Sequence, residues 1–291
     1  MALDASLVGA QTNPLVHDVD ERWTMAYAAG LGDMLECYLD TRRPEGIIAH
    51  PLFPVCLEWP AALMLRAKHR GKMSAAEAAR GVHATHHTII HRALRPPEVL
   101  TTRAVIAGIE MRKPGAFEVT RFETVDDKGA PVCTTYTGNI YRQVELTGDA
   151  QPAAMPDVPA PLTAPARPRG ESRVPVSAAA AHVYTECARI WNPIHTDAKV
   201  AAAAGLPAIM LHGTATLALA VSRIIALEAA NDPERVAEIY ARFGAMVFMP
   251  SELAVRIISR ESIGGRDAIF FEALSSEGGR AVRDGVVILR G

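Results

Sequence analysis

Apolar positions along the chain follow the same order of elements twice. In the second half an Ala-rich stretch over 177–188 has helical spacing, and a short helix over 197–204 follows it with Asp197 as N-cap. The run Gly213-Thr-Ala-Thr-Leu-Ala-Leu-Ala-Val-Ser-Arg-Ile-Ile-Ala is apolar nearly all round, which predicts a buried helix. Strands are expected after it near 236–249, 252–261, 267–275 and 280–290. The first half carries counterparts: a helix at 55–69, then strands near 82–92, 99–110, 116–125 and 131–142. Asp126-Asp-Lys-Gly129 reads as a hairpin turn in which glycine supplies the positive φ. A helix followed by antiparallel strands gives an α+β unit with one helix against a sheet.

The two halves also match residue by residue. Tyr27 through Asp40 aligns with Tyr184 through Asp197, Ala49-His50-Pro51 with Leu211-His212-Gly213, and Pro97 through Arg103 with Pro250 through Arg256. The shared order of these matches argues for duplication. Between the halves, residues 151–170 hold six of the twenty prolines and show no apolar period, as a partly stiff linker would. The expected domains are therefore 1–150 and 171–291, joined by 151–170.

Composition narrows the partners. The 291 residues are 49% hydrophobic and 21% charged, with a net charge of −2. No long basic run favours nucleic acid or an anionic membrane. Four cysteines without paired spacing read as reduced thiols of a cytoplasmic protein. No signal-peptide pattern and no apolar stretch of about 18 residues is found.

The chemistry concentrates in Tyr184 through Asp197 and in Leu211-His212-Gly213. Pro193 forces Asn192 into an extended conformation, and Asn192 can hold the turn through backbone bonds. His195 emerges just beyond, as a general base or acid. His212-Gly213 opens the buried helix, whose N-terminus offers free N–H groups and a partial positive charge. Glycine there lets a ligand carbonyl approach the backbone. A base together with N–H donors aimed at a carbonyl oxygen is what enolate chemistry next to a thioester requires.

This combination resembles the hydratase motif of the MaoC-like family of (R)-specific enoyl-CoA hydratases and dehydratases. The motif runs aromatic-x-x-x-Ser-Gly-Asp-x-Asn-Pro-Ile/Leu-His-x-Asp, then His-Gly. Tyr184, Asn192, Pro193, Ile194, His195, Asp197, His212 and Gly213 match it. The resemblance implies a double hot-dog fold, in which two helix-wrapped antiparallel sheets form a pseudo-dimer. It also implies a CoA or carrier-protein acyl thioester as substrate, with no redox cofactor and no metal. His195 and Gly213 would be catalytic, and Asn192, Pro193, His212 and His91 would border the substrate; Arg189, which departs from the motif, is a further candidate for substrate binding. Further dimerisation into a homodimer stays open.

Two departures from the motif matter. Ser-Gly-Asp is replaced by Ala188-Arg189-Ile190, and Ile190 cannot move a proton. The first half keeps Gly32-Asp33, but Tyr38 stands at the histidine position and Pro51 at the glycine. Three readings follow. The first is a hydratase or dehydratase with an altered dyad, in which Glu186 supplies a carboxylate and Arg189 holds a second substrate carboxylate. The second is a thioesterase, and the third a non-catalytic acyl-thioester binding module. His83, His87 and His91 would share one strand face, but no cysteine or acidic partner sits nearby to complete a zinc site. Gly30-Leu-Gly32 lacks the leading strand and third glycine of a dinucleotide loop.

Overall fold

In the computed structural model, residues 2–68, 73–159 and 167–291 are described. The first half contains β1 (Ala2–Asp4), β2 (Leu15–Val19), α1 (Glu21–Gly30), α2 (Glu36–Leu39), α3 (Val55–Lys68) and α4 (Ala75–Ala78). Four long strands follow, β3 (Gly81–Ile90), β4 (Glu98–Arg112), β5 (Gly115–Asp126) and β6 (Pro131–Arg142), and then the short β7 (Glu145–Thr147). The second half repeats the order with β8 (Gly170–Val176), α5 (Ala180–Ala188), α6 (Ala198–Ala203), α7 (Gly213–Glu228), β9 (Val236–Phe243), β10 (Ser251–Ile263), β11 (Arg266–Leu274) and β12 (Arg280–Leu289).

Ten of these strands form one sheet in the order β2-β4-β5-β6-β3-β9-β12-β11-β10-β8. Read from either end the order is the same pattern, and β3 pairs antiparallel with β9 at its centre, His87 opposite Tyr240. This is the double hot-dog: two α+β units sharing a continuous sheet. The duplication shows again where α1 meets α5. Tyr27 and Tyr184, the aligned aromatic residues, are both fully buried and their hydroxyls stand 3.4 Å apart.

The long helices α3 and α7 face different interiors. α7 buries an almost wholly apolar stripe, including Leu217, Val221, Ile224 and Ile225, against the second-half strands. Among the described residues, fourteen buried polar side chains lie in the first half and six in the second, so the first-half core is the polar one.

Strand and helix bounds fall close to those expected, with three differences. Strand β9 ends at Phe243 rather than near 249; Gly244 and Ala245 still donate to the Ala281 and Arg280 carbonyls at 3.0 and 2.8 Å, and Gly244 is packed so closely on Arg280 that no side chain would fit there. Strand β8 was not expected. It lies at the sheet edge, where Pro175 costs no ladder bond. The predicted linker falls partly on 160–166, outside the described residues. Before them, Gln151 exchanges two backbone bonds of 2.8 Å with Ile109, and Ala153 lies on Gly108 so closely that a side chain there would clash. Residue 69, the expected end of α3, is also outside the described residues.

Candidate active site

Helix α5 ends at Arg189, whose φ of 56° places it in the left-handed region. That geometry favours glycine, which accounts for the glycine of the family motif at this position. Arg189 tolerates it while its guanidinium packs 3.8 Å from the centre of the Trp23 ring, and Trp23 Nε1 donates to the Cys187 carbonyl at 3.1 Å. Arg189 is thus engaged by the first half, and it does not line the cleft beside His195 described below.

After Arg189 the chain passes through Ile190, which is 5% exposed and sits in the main apolar core. Pro193 opens a short 3₁₀ turn, Pro193–His195, and Asp197 caps α6 by accepting from the Lys199 and Val200 N–H groups at 2.8 and 3.2 Å. Asn192 contributes through its backbone, its carbonyl accepting from the His195 N–H at 3.1 Å. The turn delivers His195 into a buried position, stacked on His212 with ring centres 3.7 Å apart.

The proton on His195 can be placed. Its Nδ1 lies 2.8 Å from the Met210 carbonyl, an acceptor only, so Nδ1 carries the hydrogen and Nε2 keeps its lone pair. Burial lowers the His195 pKa, and the Met210 carbonyl opposes that only in part. At neutral pH the ring is a neutral base. His212 is pushed down to about 3 by burial and by the neighbouring His195; its Nε2 lies 3.3 Å from Thr185 Oγ1.

His212 is also the residue before α7, and it makes no side-chain cap bond to the helix. The first-turn N–H groups, beginning with Gly213, therefore remain available next to His195. A Cβ at Gly213 would stand 3.4 Å from the Phe243 ring. Phe243 in turn packs against the His83 ring of the first half, centres 4.7 Å apart.

Outside this pair, a cleft of about 320 Å³ is walled by His182, Thr185, Glu186 and the loop residues Trp191, Asn192, Pro193 and Thr196. Glu186 is exposed on its rim, and Trp191 Nε1 donates to it at 3.4 Å. Thr185 joins the cleft to the histidine pair. Neither Thr185 nor the Met210 carbonyl was legible as a site group, because each acts through a contact far away in sequence.

The remaining expectations need correction. His91 does not border the His195 groove. His83, at the start of β3, meets Phe243, and His91 lies beyond the other end of that strand, roughly 25 Å away at ~3.3 Å per residue. There its Nε2 lies 3.0 Å from Thr134 Oγ1. Nor do His83 and His87 share a face. A register shift between His83 and Thr85 turns His83 inward beside His86, whereas His87 faces outward to Tyr240 and Glu238.

The counterpart in the first half is closed. His50, aligned with His212, accepts from the Leu52 N–H at Nδ1 and so donates from Nε2 to Ser222 on α7, at 3.1 Å. Asp33 and Tyr38 are buried, and the space between Pro51, Ile90 and Val236 is only about 30 Å³, room for a single water. Arg290 crosses it, donating to the Ile90 and Val236 carbonyls at 2.5 and 2.6 Å.

Residues 162–277 match the model of the MaoC-like domain, and residues 6–135 that of the FAS1-like dehydratase domain region. Residues 162–277 are thus a MaoC-like domain. It is 28% identical to 3-hydroxyacyl-thioester dehydratase Y of Mycobacterium tuberculosis, across 97% of this chain and 95% of that protein. It is 33% identical over 101 residues to peroxisomal enoyl-CoA hydratase 2 of Arabidopsis thaliana; that match spans 35% of this chain and 31% of the plant protein. A MaoC-like dehydratase from Phytophthora capsici has the same fold, with a TM-score of 0.84 at 22% identity over 98% of this chain and 96% of that one. The relatives that the chain resembles are thus named as hydratases and dehydratases. No helix among its described residues is long and apolar enough to cross a membrane.

Proposed function

We propose that this MaoC-like chain catalyses reversible hydration of a 2-enoyl thioester, carried by CoA or an acyl carrier, with His195 as the single proton-transfer group. The observation that carries the reading is the Met210 bond to Nδ1, which leaves the His195 Nε2 lone pair beside the uncapped N-terminus of α7. In the hydration direction Nε2 takes a proton from water as the water oxygen bonds to C3. The double-bond electrons move toward the thioester, and its oxygen accepts a bond from the Gly213 N–H. The imidazolium then returns the proton to C2, so one water is added across the double bond. Dehydration runs the same steps in reverse.

Asn192 and Pro193 hold the turn that aims His195, and His212 supports it from below. Ile190 leaves the water with one side-chain partner fewer than the family motif provides, which predicts a slow enzyme. The burial of Ile190 in the apolar core also favours a second reading, a module that binds acyl thioesters without turning them over. A panel of enoyl- and 3-hydroxyacyl-CoAs, assayed with the wild type and His195→Ala, separates the two. Hydration that His195→Ala abolishes supports the enzyme. Binding without turnover by the wild type selects the module, and release of free CoA selects a thioesterase.

A further inference from the structure

The polar interior of the first half contains a continuous chain of side chains that the His195 chemistry does not use. His86 Nε2 lies 2.9 Å from Thr88 Oγ1, Thr88 Oγ1 lies 3.0 Å from Thr135 Oγ1, and Thr135 bonds the Glu58 carboxyl. All four side chains are buried; His86 is 0% and Glu58 4% exposed. His83 continues the row, its ring centre 5.5 Å from that of His86 and 4.7 Å from that of Phe243, which lies against Gly213. The row therefore leads from the start of α7 into the first half. The bulge in β3 is what turns His83 into line.

Counting hydrogens fixes what is left over. Above its raised pKa of about 7 Glu58 is ionised and Thr135 donates to it, so Thr88 donates to Thr135 and His86 Nε2–H to Thr88, since each hydroxyl has one hydrogen. His86 Nδ1 is then a bare acceptor. His83 bonds the Thr85 backbone carbonyl through its protonated nitrogen, which leaves Nε2 as a second. Glu58 Oε1, His83 Nε2 and His86 Nδ1 are all buried and have no hydrogen-bond partner among the described protein atoms. Buried polar atoms that stay unpaired cost free energy, so a cluster of three calls for a donor.

We infer that Glu58, His86 and His83 form a specificity site for a hydroxyl group on the distal part of the acyl chain. This rests on the reading above that the thioester lies at Gly213. A tail hydroxyl can donate to one of the three spare acceptors, with bound water for the others, whereas a second carboxylate is repelled by Glu58. A plain alkyl tail leaves that acceptor unpaired.

The test uses saturated acyl-CoAs, which can be neither hydrated nor dehydrated, in a series of chain lengths ending in methyl, hydroxyl or carboxylate. Calorimetric titration into the full chain at pH 8, where Glu58 is ionised, should show one hydroxyl-ended length binding about three- to tenfold more tightly than its methyl analogue. The carboxylate should bind most weakly. Glu58→Gln, His86→Phe and Thr135→Val, each checked for folding by its melting curve, should flatten the preference. Equal affinity for methyl and hydroxyl tails at every length overturns the inference and assigns these atoms to bound water alone. A preference that persists in the folded variants overturns it as well. The hydratase reading fails separately, in the turnover assay, and the binding preference can hold without it.

Discussion

His195 and Ile190 define how far the chemistry can be taken at single residues. The neutral tautomer of His195 is set by a backbone carbonyl rather than by a carboxylate, so nothing offsets its desolvation fully and its pKa stays below the usual 6.5. The neutral base is the working form and is populated above that lowered pKa. Activity should therefore persist as pH falls below 6.5 and be lost only as pH passes through the lowered value; a kcat/KM profile checks this, and an acid limb above 6.5 would contradict the tautomer assignment. His195→Gln should cost about 10²–10⁴ in kcat, the usual range for a general base. Ile190→Asp restores the motif carboxylate next to His212, whose ring faces the Ile190 backbone. It should raise kcat tenfold or more while lowering the melting temperature, because the new carboxyl enters an apolar core. A folded Ile190→Asp protein with unchanged kcat would mean that the lost carboxylate does not limit the rate.

At the scale of elements, the start of α7 separates activity from stability. Alanine is about 1 kcal/mol better than glycine within a helix, so Gly213→Ala should leave the melting temperature unchanged or slightly higher. Its methyl would stand 3.4 Å from Phe243, on ground a thioester oxygen needs to reach the N–H. A tenfold or greater fall in kcat/KM with no loss of stability is expected; the reverse outcome would make Gly213 a packing residue. The same elements show what sequence carries. Helix α7 and the short α6 capped by Asp197 were legible because periodicity and capping are local signals. The histidines of β3 were not. One extra residue at the His83–Thr85 bulge reverses which side chains share a face, and nothing in the alternation of that segment marks it. Strand β8 was missed because Glu171, Arg173 and Pro175 leave only short apolar alternation just after the linker, although they suit an edge strand.

Across the whole molecule, duplication supplies one open and one closed site, and each is in contact with the opposite half. His50 reaches Ser222 on α7, and Phe243 of β9 meets His83 of β3. The result is a set of neutral histidines buried where the halves join. His50 and His83 are pushed down to about 4 and His212 to about 3, each chiefly by burial, and His86 is held well below its ordinary value by the same cause. A histidine with a depressed folded pKa favours the folded state above its unfolded value, near 6.5. That contribution is lost as pH falls from there to the folded value, at about 1.4 kcal/mol per pH unit for each group. Glu58 works in the opposite direction. Burial raises it to about 7, so its burden on the fold grows as pH rises from 4.5 to 7 and is relieved as pH falls. Four histidines outweigh one glutamate, and the melting temperature should drop by more than about 5 °C between pH 7 and pH 5.5. Glu58→Gln removes the opposing group, so the variant should gain over the wild type at pH 8 and lose that advantage by pH 5. Scanning calorimetry of both proteins across this range measures the two effects together. A flat wild-type profile would show that water reaches these rings in the folded protein, and a Glu58→Gln advantage that does not change with pH would remove Glu58 from the account.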